Sequence, residues 1–159
     1  MKTAVRFPFL LALLLLFSFP TQASNRPTPD WWVFLFGKNK YDGRGQYHGR
    51  WITYHDNTKT KVMNKGRFRH GLQIKTWYYY TDKGTLYRKE VYQRKGEEIA
   101  TTLYHPNGTV SVTGVAKRVE DAVKIHYFWQ GFWHYFTEEG QPHKKAYYSN
   151  GVLVETTLY

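Results

Sequence analysis

A tryptophan, then an aromatic residue three positions later, then a turn that mostly ends in glycine, recurs along this chain and limits what it can fold into. Trp51 and Tyr54 precede His55, Asp56 and Asn57, and Trp77 and Tyr80 precede Thr81, Asp82, Lys83 and Gly84. Trp133 and Phe136 precede Thr137 to Gly140, while Thr101 and Tyr104 precede His105 to Gly108 with threonine in the tryptophan's place. A shortened copy, Tyr147 to Gly151, runs into the carboxyl end. The starts at 51, 77, 101 and 133 lie 26, 24 and 32 residues apart. The long interval therefore predicts an insertion of about eight residues within Arg118 to Trp129. A repeat of this size is one supersecondary unit that cannot bury its apolar face alone and must stack on its neighbours.

Each unit reads as a strand, a tight turn and a returning strand. Gly84, Gly108, Gly140 and Gly151 follow Lys, Asn or Glu where a positive φ is wanted. Leu86 to Gln93, Thr109 to Thr113 and Lys144 to Tyr148 are the expected returning strands, rich in aromatic, β-branched and threonine residues. Gly66, Gly96 and Gly114 are expected to close units. The one stretch with any helical character is Ala116 to Ile125, where a single turn is conceivable. The reading is all-β: an antiparallel meander of β-hairpin repeats forming an elongated, largely single-layer sheet. Aromatics on both sides of Leu72 to Tyr80 argue for that single layer: Tyr78 and Tyr80 face one way, Trp77 and Tyr79 the other. Beyond residue 23 the chain has 26 aromatics against 20 Leu, Ile and Val, so rings rather than aliphatics must cover its surfaces.

The first 23 residues read as an export signal. Lys2 and Arg6 precede an apolar run from Phe7 to Phe19, and Thr21 to Ala23 offer small residues before a cut between Ala23 and Ser24. The run is shorter than the roughly 20 residues of a spanning helix, although a retained anchor is the rival reading. The chain has no cysteine, which excludes disulfides, thiolate metal sites and a cysteine nucleophile, and suits a periplasmic or secreted bacterial protein. Residues 24–40, with Trp31 to Phe36, are expected to cap or link the repeat domain, 41–159.

On these residues the chain resembles the MORN (membrane occupation and recognition nexus) repeat, in the bacterial variant often labelled antitoxin component. Gly71 to Gly84 and Gly131 to Gly140 carry the likeness best, and Tyr41-Asp-Gly43 and Tyr47-His-Gly49 echo its opening. The resemblance spans roughly residues 41 to 158, with irregular spacing and a third unit that lacks its tryptophan. It implies a hairpin array used as a scaffold or binding surface, with no catalytic residues to carry over. An export signal does not suit a cytosolic antitoxin. The chain is also similar to bacterial cell-wall-binding repeats, which hold choline or glucan between rings but have a shorter period.

Charge is polarised. Residues 24–95 carry 16 basic and 5 acidic side chains, and residues 96–159 carry 5 basic and 7 acidic. Lys59, Lys61, Lys65, Arg67 and Arg69 alternate with other residues, so period two predicts a cationic stripe able to meet an anionic lipid or cell-wall polymer. Trp51, Trp77, Tyr79, Trp133 and Tyr135 occupy matching repeat positions and are expected to form an aromatic ladder on one face, either as packing or as a stacking platform. The seven histidines show no metal-ligand spacing. Adjacent pairs such as Glu97-Glu98 point opposite ways and suit no acid–base pair. The expectation is an exported, non-catalytic scaffold or binding module at the bacterial envelope, without cofactor, metal or nucleic acid, meeting a protein or envelope component. A cell-wall glycan or choline binder is the alternative.

Overall fold

A computed structural model describes residues 37–93, 97–121 and 124–159. The expected export segment and Ala23–Ser24 cleavage point, the ring-rich stretch Trp31 to Phe36 and Gly96 lie outside the described residues. Ten strands follow in order: β1 (Lys40–Tyr41), β2 (Tyr47–Tyr54), β3 (Val62–Arg69), β4 (Leu72–Tyr80), β5 (Leu86–Tyr92), β6 (Glu98–Tyr104), β7 (Val110–Glu120), β8 (Ile125–Phe136), β9 (Pro142–Ser149) and β10 (Val152–Leu158). Each pairs antiparallel with the next, giving one ten-stranded meander that does not close on itself. The fold is all-β.

The repeat is visible in the backbone as well as the sequence. The turns at 81–85, 105–109 and 137–141 make the same two bonds. In the first, Thr81 N donates to Thr85 O at 2.9 Å and Gly84 N to Thr81 O at 2.9 Å; His105/Thr109 and Thr137/Gln141 repeat the pattern. Gly84, Gly108 and Gly140 have φ of 83°, 87° and 81°, the left-handed conformation a residue with Cβ adopts only at a cost. Just before each turn the register slips by one residue, at Tyr79/Tyr80, Leu103/Tyr104 and Tyr135/Phe136, and also at Thr53/Tyr54. Such bulges bend and twist a strand, so these four hairpins bend at the same place.

A second irregularity marks the tryptophans. Gly49, Lys75 and Gly131 have φ of 76°, 59° and 75°, and each stands two residues before Trp51, Trp77 or Trp133. At the last two, the tryptophan strand carries two extra residues against its neighbour: Lys65 pairs Tyr78 while Arg67 pairs Ile74, and Thr113 pairs His134 while Val115 pairs Gln130. This slack lets each indole lie back over a glycine of the preceding strand. A Cβ on Gly66 would sit 2.2 Å from the Trp77 ring, and one on Gly114 would sit 2.3 Å from the Trp133 ring. Gly66 and Gly114 therefore do not close the units, as expected from sequence, but form the mid-strand floor on which the indoles rest. Trp77 and Trp133 are 2% and 0% exposed. Burying roughly 150–250 Å² per ring at about 25 cal/mol per Å² contributes about 4–6 kcal/mol each, an upper figure.

Of the Ala116 to Ile125 region, 122–123 lie outside the described residues, and Ala116 to Glu120 are strand rather than helix: β7 pairs with β8 there, Arg118 opposite Tyr127 and Glu120 opposite Ile125. The eight or so extra residues lengthen one hairpin, whose β-branched and aromatic content favours strand. Asp121 closes its tip, accepting from Lys124 N at 2.9 Å and from His126 Nε2 at 2.7 Å. Val119, Ile125 and Tyr127 are 40–54% exposed there.

Candidate binding faces

Alternation along the strands puts all five ladder residues on one face. Trp77, Tyr79 and Trp133 are core residues, and Trp51 and Tyr135 pack against them. The rings form two runs. In the first, Trp51 meets Phe68 edge-on at 5.5 Å, Phe68 meets Trp77 at 4.8 Å, and Trp77 meets Tyr79 at 6.4 Å. In the second, Trp129 stacks on Trp133 at 3.7 Å and 10°, Tyr148 stands edge-on to Trp129 at 5.0 Å, and the Tyr135 and Tyr148 hydroxyls bond at 2.9 Å. The indoles of Trp77 and Trp133 are spent on this packing, leaving no ring face for a ligand.

Between the runs, at the unit whose tryptophan is replaced by Thr101, the face opens. β6 there has no positive-φ residue and no register slip against the preceding strand β5, and the space an indole would fill is a cavity of about 510 Å³. Glu90, directly opposite Trp77 in the pairing of β4 and β5, lies at its polar end. Tyr79 and Tyr92 hydroxyls donate to Glu90 Oε2 at 2.6 and 3.1 Å, and Gln73 joins them, 3.2 Å from the Tyr79 hydroxyl and 2.5 Å from that of Tyr92. The Arg88 guanidinium lies 3.9 Å over the Tyr79 ring, its Nε 3.7 Å from Glu90 Oε1 and without a hydrogen bond. Burial, and then the adjacent Glu90 carboxylate, push the Tyr79 hydroxyl well above the usual phenol range. Burial does the same at Tyr92. Tyr127, Phe128 and Trp129 wall the far side.

The opposite face is cationic. Lys65, Arg67 and Arg69 alternate with inward residues along β3 and are exposed, as period two predicted. Lys59 and Lys61 do not continue that strand. They sit in the turn before it, Lys59 at φ 58°, where Asp56 gathers the backbone N–H of Lys61 at 2.9 Å and the hydroxyls of Thr58 and Thr60. Those bonds hold the Asp56 carboxyl well below the usual range. The stripe is thus three strand cations and two turn cations; Lys61 reaches a hairpin-end depression shared with Lys65 and Lys83. Sequence reading missed two further members. Arg50 is the direct cross-strand partner of Arg67, and Lys75 lines the same depression of about 340 Å³ as Arg50, Lys65 and Arg67. Like charges placed opposite each other oppose pairing. Among the described residues no carboxylate lies within ion-pair distance of these four.

Comparison with family models, curated proteins and solved structures gives no match. The residues must therefore speak for themselves. Two of the histidines are structural in a way spacing hid: His55 Nε2 donates to Tyr80 O and His105 Nε2 to Phe136 O, each at 2.9 Å, pinning a turn to the next hairpin. A one-repeat offset of about 25–30 residues was the available signal.

Proposed function

We propose that this chain is a non-catalytic binding module, exported to the bacterial envelope, whose cationic face docks onto an anionic surface. The observation that supports it most is the depression shared by Arg50, Lys65, Arg67 and Lys75. Four cations around one concavity without a carboxylate repel one another until an anion arrives. The MORN-like kinship belongs to this proposal, supported by the recurring hairpin, turn and bulge. Lipid head groups and anionic wall polymers supply suitable phosphates, to which arginine can bind in bidentate fashion.

Co-sedimentation with vesicles containing phosphatidylglycerol tests the reading. Binding at low salt that falls steeply with added salt, and is lost in Arg50→Gln/Arg67→Gln, is expected. Equal binding to neutral vesicles, or retention in that double variant, would overturn it. The cavity at Thr101 favours a second reading, a cell-wall glycan site, because aromatic walls beside Glu90, Arg88 and tyrosine hydroxyls match the apolar faces and hydroxyl edges of a sugar ring. Retention on purified peptidoglycan at high salt, abolished by Trp129→Ala, would favour it over the anionic surface.

A further inference from the structure

We propose that Asp42, His48 and His70 form a site for a divalent transition metal ion of the zinc or nickel type. Each residue brings one ligand atom to within 4.8 Å of the other two. They come from three separate segments: the turn between β1 and β2, strand β2, and the turn between β3 and β4. Nothing in their spacing announces the site; sheet pairing assembles it, because Gly49 opposite Phe68 brings His48 beside the β3–β4 turn.

The three are held by backbone bonds independent of one another. Asp42 Oδ1 accepts from Arg44 N at 2.9 Å and Gln46 N at 3.0 Å, which aims Oδ2 away from its own turn. Oδ2 meets His70 Nδ1 at 2.9 Å. His70 is in the left-handed region, φ 49°, followed by Gly71 at 76°, and Gly71 N donates to Tyr47 O at 2.9 Å, fixing the turn next to His48. The His48 and His70 rings are 5.3 Å apart. His48 Nδ1 is buried and has no hydrogen-bond partner, a cost that an ion bound at that nitrogen would remove.

The donor set selects the ion class. Two imidazoles and one carboxylate suit borderline divalent ions, whereas magnesium and calcium want oxygen alone. With bonds of about 2.0–2.1 Å, donors around a tetrahedral ion stand about 3.4 Å apart. The Asp42–His70 pair, at 2.9 Å, has to open by a few tenths of an ångström, and His48 lies within 4.8 Å of both. Three protein ligands leave the fourth position to water or to a donor from a partner. The site lies on the amino-terminal hairpins and uses none of the cations of the anionic-surface reading, so the two stand or fall separately.

Titration calorimetry of tag-free protein with zinc alone and with nickel alone provides the test, read beside thermal unfolding. One equivalent should bind and raise the melting temperature. His48→Ala should weaken binding at least tenfold and erase the rise. His70→Asn is the matching variant, because asparagine already occupies the equivalent turn at Asn150-Gly151, with φ of 49° and 83°, so the fold survives. Asp42→Asn keeps the acceptor for the two turn N–H groups and should weaken binding less. His126→Ala, far along the chain, should change nothing. No binding at millimolar metal, or binding that persists undiminished in the His48→Ala/His70→Asn double variant, would overturn the proposal.

Discussion

The β3–β4 and β7–β8 hairpins solve one packing problem with different residues. Both place a glycine under an indole, both insert two residues on the tryptophan strand, and both turn the chain into the left-handed region two positions before the ring. In β7–β8 that turning residue is Gly131; in β3–β4 it is Lys75. Glycine bears this φ freely, whereas lysine bears it at about 1 kcal/mol or more. The indole partners differ too. Trp77 Nε1 donates to Arg67 O at 3.1 Å, while Trp133 stacks flat on Trp129 and leaves its buried Nε1 unpartnered. Packing thus needs the bulge and the glycine floor but no charge. The lysine, and the arginines around it, are superimposed on a motif that works without them in the other half.

The comparison breaks first at the rings. Trp77→Ala and Trp133→Ala should each lower unfolding free energy by about 3–5 kcal/mol, measured by urea denaturation. If either costs under about 1 kcal/mol, that indole is not core. Phenylalanine sharpens the contrast: Trp133→Phe deletes an unsatisfied N–H, Trp77→Phe a made bond, so the first should be milder by about 1 kcal/mol.

The floor comes next. Gly66→Ala and Gly114→Ala should cost about 1–3 kcal/mol or more, because the new methyl meets ring atoms well inside contact distance. Gly43→Ala, whose Cβ would meet nothing within 4 Å, is the control. Equal effects at all three positions would refute the ring-over-glycine account.

Exchanging the turning residues has smaller, opposite effects. Lys75→Gly should stabilise by about 0.5–1 kcal/mol and Gly131→Lys should destabilise by about 1 kcal/mol. Lys75→Gly should also weaken binding to anionic vesicles. Stabilisation without loss of binding would leave the strained lysine unexplained.

The smallest effect separates the turns. The 55–61 turn is closed by the Asp56 carboxylate where the others use glycine. Its folded pKa is depressed, so its contribution is fully present above the ordinary unfolded value of about 4 and is lost as pH falls through the folded value. The melting-temperature gap between wild type and Asp56→Asn should therefore be constant near neutrality and shrink in acid. A gap unchanged in acid would show that the carboxylate's charge is not what closes the turn.

Much of this was legible in the residues, and the failures share a cause. Hairpins, turn glycines and the sharing of one face by Trp51, Trp77, Tyr79, Trp133 and Tyr135 follow from local chemistry and period two. Alternation also put Lys65, Arg67 and Arg69 together correctly, but it ran through Lys59 and Lys61 because nothing local showed that Asp56 had folded them into a turn. Arg50 and Lys75 were invisible as partners of that stripe, since only register places one opposite Arg67 and only a bulge tips the other towards it. Gly66 and Gly114 looked like unit ends because a glycine under an indole and a glycine in a turn are identical in sequence.

The sequence alone determined an all-β chain of repeated hairpins with aromatic cross-strand packing, because turn conformation and strand alternation are set by neighbours a few residues apart. Tertiary structure decided what the repeats do not share: where the ladder breaks, which cations crowd one depression, and how an aspartate and two histidines meet. Each of these depends on register between strands, and register is set by side chains in contact across the sheet, such as an indole and the glycine beneath it, rather than by any run of residues read in order.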